Sequence, residues 1–187
     1  MKINLFLLLV FLFSCTQKSP TVSLDASGEI FVLGSSWSVD PDISPGLLFS
    51  SLLNDRFRSG EKNLKVTHLG VHGESPAQVL DRLSALGQKK SGLLILEVDG
   101  YFSPESSVDR KVLLPKLKEI FPEVPFWVIH LGPVGGNLKD QGNTFSKITW
   151  IDLQTVRESR QQTAPLSGNA ALHQKLAEYL DARLSGN

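Results

Sequence analysis

The chain has 187 residues with 19 basic and 19 acidic side chains, and its formal charge of zero excludes broad electrostatic capture of nucleic acid. An apolar share of 41% is too high for a disordered chain, and the length suffices for one domain with a sizeable core. The single cysteine excludes an intramolecular disulfide.

The N-terminus reads as a secretory signal: Lys2, then an apolar run from Leu5 to Phe13, then Ser14-Cys15. The run is too short to cross a bilayer. Leu12-Phe13-Ser14-Cys15 resembles a bacterial lipobox, although Phe13 is bulkier than the usual residue there. That resemblance implies a signal peptide over 1–14, diacylglycerol on the Cys15 sulfur, and a mature chain anchored to a membrane of the bacterial cell envelope. The alternative is a plain signal cut nearby, with Cys15 incidental. Residues 15–28 are polar and lack apolar periodicity, which predicts a flexible tether to a single domain over 29–187.

The domain opens with a β-prone run, Ile30 to Leu33. Ser44 to Phe57 predicts a helix, with Ser44 as cap and Pro45 in the first turn. Leu64 to Leu69 is a second strand. Ser75 to Gln88 is a second helix, with Val79, Leu80, Leu83 and Leu86 on one side. Leu93 to Val98 (LLILEV) reads as a continuously apolar run, as a strand covered on both faces should. Ser106 to Phe121 is a third helix, with Val112, Leu113, Leu117, Ile120 and Phe121 inward. Phe126 to Leu131 and Ile148 to Leu153 are the last strands. Asn169 to Leu184 is the closing helix, with Leu172, Leu176, Tyr179 and Leu180 along one face. The alternation predicts an α/β domain of three layers (α/β/α) around a five-stranded parallel sheet, whose ligand site lies beyond the carboxyl ends of the strands.

The segments that follow the strands therefore carry the functional reading. Gly34-Ser35-Ser36-Trp37 follows the first strand, and His68-Leu69-Gly70-Val71-His72-Gly73-Glu74-Ser75 the second. Glu97-Val98-Asp99-Gly100-Tyr101-Phe102 ends the third, and Ala164-Pro165-Leu166-Ser167-Gly168-Asn169 precedes the closing helix. Together these resemble the SGNH, or GDSL, hydrolases over roughly Glu29 to Leu184. The resemblance implies a flavodoxin-like SGNH-hydrolase fold, with Ser36 at the nucleophile position, Gly73 as an oxyanion donor, and Tyr101 where the family's oxyanion Asn stands. It also places Ala164 and Ser167 where the family carries its Asp and His. The chain thus keeps the serine and the glycine but lacks the Asp-His dyad.

A serine hydroxyl is a weak nucleophile until a base takes its proton. His72 and His130 follow strands and are the candidates for a displaced base, with Asp99 as orienting acid. Each has a plain alternative: His72 as an exposed loop residue, His130 as a half-buried one bonded to backbone, Asp99 as a cap on the turn at Gly100. Tyr101 either donates to a bound anion or carbonyl, or fills the vacated space with Phe102. Ser35 and Trp37 flank the serine as ligand contacts, and Trp37 is otherwise packing under the first helix. No metal-ligand spacing or dinucleotide fingerprint is present, so neither a metal nor another cofactor is expected. The expected function is a degenerate, lipid-anchored relative that binds an acylated or carbohydrate ligand with little ester hydrolysis. The alternatives are an active esterase or deacetylase using Ser36, and a structural or partner-binding envelope lipoprotein.

Overall fold

The computed structural model describes residues 28–85, 92–98, 107–130, 148–153, 156 and 169–185. Its strands are β1 (Glu29–Leu33), β2 (Lys65–His68), β3 (Leu93–Glu97), β4 (Phe126–His130) and β5 (Ile148–Asp152). They form one sheet in the order β2-β1-β3-β4-β5, parallel throughout. The helices among the described residues are α1 (Phe49–Ser59), α2 (Pro76–Ala85), α3 (Ser107–Ile120) and α4 (Asn169–Leu184). The doubly wound architecture expected from the alternation is present.

Side-chain alternation along the strands divides the core into two halves. Ile30, Val32, Leu93, Ile95, Trp127 and Ile129 face one way, onto Phe49, Leu53 and Phe57 of α1 and Leu172, Leu176 and Leu180 of α4. Phe31, Leu33, Leu94, Leu96, Phe126 and Val128 face the other, onto Val79 and Leu83 of α2 and Leu113, Leu114 and Leu117 of α3. The central strands β3 and β4 are buried along their whole length. This is why their sequences, up to the terminal Glu97 and His130, are apolar without alternation.

Two local expectations are corrected. Ser44 does not begin a helix: Pro45–Leu47 forms a single 3₁₀ turn, Leu48 is extended, and α1 starts at Phe49. Val112 does not face inward but is 45% exposed, while Leu114 is fully buried. The inward stripe of α3 runs through Leu113, Leu114, Leu117 and Phe121, which share one face at helical spacing. No helix among the described residues is long and apolar enough to cross a membrane. The signal, the tether and Cys15 lie outside the described residues.

Candidate active site

β1 delivers the chain to the carboxyl edge of the sheet at Leu33, where Gly34 turns it into Ser35, Ser36 and a 3₁₀ turn over Trp37–Val39. Glu97, the last residue of β3, reaches into this turn and is fully buried. Its Oε2 accepts from the backbone N–H of Ser35 (3.2 Å) and of Ser36 (3.0 Å) and from the Ser38 hydroxyl (3.2 Å). Its Oε1 accepts from the Ser36 hydroxyl at 3.1 Å. A buried carboxylate must be hydrogen-bonded to persist, and here the serine turn supplies the donors.

Glycines make this packing possible. A Cβ on Gly34 would lie 1.8 Å from the Ser38 Oγ and 2.9 Å from Glu97 Oε2. A Cβ on Gly70 would lie 2.3 Å from the Gly34 carbonyl oxygen, so the loops after β1 and β2 meet backbone to backbone. Gly73 has φ +72°, in the left-handed region that favours glycine. Its N–H donates to the Ser35 carbonyl at 2.8 Å. In this arrangement the Gly73 amide is committed to the serine turn.

Among the described residues no histidine is hydrogen-bonded to the Ser36 hydroxyl. His72 is exposed in the turn before Gly73. His130 is buried, edge-on to Trp150 at 6.3 Å. Strand alternation places it with Phe126 and Val128 on the α2–α3 side, whereas Glu97 alternates with Leu93 and Ile95 on the α1–α4 side. β4 is also two strands from β1, about 9–10 Å at usual sheet spacing. Among the described residues, the structure brings Ser36 to a carboxylate and not to an imidazole. Trp37 is buried against Phe49 (5.9 Å) and His173 (5.8 Å), so it packs beneath α1 rather than walling an open cleft. Ser35 is buried, and its Oγ has no partner among the described residues. Asp99 and Tyr101 lie outside the described residues, as do Ala164 and Ser167.

Two further histidines, His173 buried and His68 partly buried, lie on the α1–α4 side of the sheet. His173 on α4 accepts the Phe49 N–H on Nδ1 at 3.0 Å, satisfying the first amide of α1, and stacks on the Phe49 ring at 5.9 Å. Burial lowers its pKa, opposed by a backbone hydrogen bond with Trp37 and the charge of Asp40. His68, at the end of β2, pairs in register with Val32. Burial, then the proximity of His173 and Arg82, pushes its pKa down to about 4. Both imidazoles are therefore held toward the neutral form.

Sequence reasoning passed over Glu97 and His173. For Glu97 the signal was available: an acid inside an otherwise apolar, doubly covered strand requires buried donors. For His173 the partner is an amide in α1, far away in sequence, and no local pattern announces it. No group of three or more metal-ligating side chains occurs among the described residues.

No family model matches the chain, and no curated protein sequence does. Solved structures do match. A psychrotrophic esterase, EstA, from Pseudoalteromonas sp. aligns with TM-score 0.55 and 13% identity, covering 85% of this chain and 100% of that one. A family 3 carbohydrate esterase from Clostridium thermocellum aligns with TM-score 0.60 and 11% identity, covering 82% and 93%. AlinE4, an SGNH-hydrolase family esterase, aligns with TM-score 0.50 and 19% identity, covering 88% and 98%. The chain has the SGNH-hydrolase fold, in a single α/β/α domain.

Proposed function

We propose that this chain is a lipid-anchored protein of the bacterial envelope whose SGNH-type site is degenerate, binding an acylated or carbohydrate ligand with little ester hydrolysis. One observation carries the reading: the Ser36 hydroxyl donates to Glu97 rather than to an imidazole. The same carboxylate holds both neighbouring amides, and the Gly73 amide is spent on Ser35. The missing Asp-His pair before α4 agrees with this. In serine hydrolases, loss of the base alone removes about 10⁶ in turnover. The likeness to a carbohydrate esterase supports the ligand class, and the Leu12-Phe13-Ser14-Cys15 motif supports the anchor.

The test is hydrolysis of short p-nitrophenyl esters by wild type and Ser36→Ala side by side, with fluorophosphonate labelling of both. The expected result is equal, near-background rates and no label on either. A second reading, a working esterase, is favoured by the Glu97 carboxylate lying within proton-transfer reach of Ser36. It requires wild type to label and turn over, and both Ser36→Ala and Glu97→Gln to abolish that. Cys15→Ala, followed by incorporation of a palmitate analogue, tests the anchor separately; label retained by the variant would remove it.

A further inference from the structure

A cleft of about 290 Å³ opens between α1, the Pro45–Leu47 turn and β2, which is the sheet's edge strand. Its walls include Gly46, Ser51, Asn54, Asp55, Val66 and His68; neither Ser36 nor Glu97 lines it. From these groups we infer that the cleft is a binding site for a neutral, hydroxyl-rich ligand, a small sugar or polyol.

The choice of ligand follows from the lining. Among the described residues no lysine or arginine lines the cleft, so a phosphate or carboxylate would meet no compensating charge. No Phe, Tyr or Trp among the described residues lines it, and Val66 is the only aliphatic side chain among them that does, so an acyl tail would bury little apolar surface. Among the described residues Asp55 is the only carboxylate in the lining, which is too few for a bound divalent cation. What remains is a set of uncharged donors and acceptors around one acceptor charge. Asn54 uses Oδ1 on the Val66 N–H (3.2 Å), which leaves its amide hydrogens to donate. Ser51 donates to the Pro45 carbonyl (2.7 Å), which leaves its oxygen to accept. Asp55 is exposed and makes no ion pair among the described residues. The His68 ring forms part of the wall, and its Nε2 is buried without a partner among the described residues. A hydroxyl both gives and takes a hydrogen bond, so adjacent hydroxyls match this alternation of donors and acceptors. The volume sits at the small end of ordinary ligand pockets, roughly 300–1,000 Å³.

The test titrates isotope-labelled protein with cellobiose and, separately, with glycerol, following backbone amide shifts, with inorganic phosphate as control. The expected result is saturable shifts confined to the first turns of α1, Val66 and His68, and none with phosphate. Two variants leave the fold intact. Gly46→Phe adds a bulky ring to the cleft wall at a position where a Cβ meets nothing within 4 Å and so does not clash. Asp55→Ala removes an exposed carboxylate. Each is expected to weaken binding about tenfold or more, with thermal stability unchanged. Absence of saturable shifts with both probes, an equal response to phosphate, or binding unaffected by both variants overturns the inference. Because Ser36 and Glu97 do not line the cleft, the outcome is independent of the ester-hydrolysis result.

Discussion

Removing the Glu97 carboxylate would orphan two amides and two hydroxyls at once. Each buried donor left unpaired costs about 1–3 kcal/mol, with partial relief where water reaches it. Glu97→Ala is therefore expected to lower unfolding free energy in urea by about 3 kcal/mol or more. Glu97→Gln keeps the shape and one acceptor oxygen and should cost less than half of that. Equal losses for the two variants would mean that packing, not hydrogen bonding, is the carboxylate's contribution. The glycines beside it make a second prediction. Gly34→Ala drives a methyl into the Ser38 hydroxyl, which a Ser38→Ala change partly relieves; Gly70→Ala drives one into the Gly34 backbone, where no side-chain change gives room. Overpacking of this kind costs about 1–3 kcal/mol. The double variant Gly34→Ala/Ser38→Ala should recover part of the Gly34→Ala loss in melting temperature, and adding Ser38→Ala to Gly70→Ala should recover nothing.

At the scale of elements, the strands were legible because burial makes them uniform. The runs beginning at Ile30, Leu93 and Phe126 are largely apolar and of strand length, and they contain β1, β3 (Leu93–Glu97) and β4 (Phe126–His130). The closing helix was legible to its ends, Asn169 and Leu184, because its apolar residues recur at helical spacing. The start of α1 was not. Ser44 and Pro45 carry a helix-start signature, yet the amide that needs a cap is Phe49's, and His173 on α4 supplies it. Val112 misled because apolar character alone does not say which side of a helix a residue occupies; its neighbours Leu113 and Leu114 complete the buried stripe. The serine turn was legible from Gly34-Ser35-Ser36, whereas its partner Glu97 needed the parallel register that sets β3 beside β1. These placements separate two substitutions on α3. Leu114→Ala should cost about 2–5 kcal/mol, and Val112→Lys less than about 0.5 kcal/mol, in urea unfolding. A comparable loss for both would put Val112 in the core.

Over the whole molecule, the two sheet faces differ in their buried polar content. The α1–α4 side holds partly buried His68 and buried His173, the latter against Trp37 and Phe49, and the proximity of His173 disfavours protonation of His68. This makes folding stability depend on pH with a definite sign. His68 titrates near 4 in the folded protein and at its ordinary value of 6.5 when unfolded. Above about pH 6.5 both states are neutral at this site and it has no effect on the balance. As pH falls below that value the unfolded chain binds a proton that the folded chain refuses, so stability drops by up to about 1.4 kcal/mol per pH unit. The loss approaches about 3 kcal/mol near pH 4, where the folded protein begins to protonate as well. His173, also lowered by burial, adds to the same trend. Urea unfolding at about pH 7 and pH 5 should therefore show a marked fall for wild type. His68→Gln, which has no titrating group, should show a shallower one, since carboxylates contribute little in that interval. An unchanged slope in His68→Gln would mean that this imidazole protonates as readily inside the fold as outside it, and that the α1–α4 side is wetter than its packing indicates.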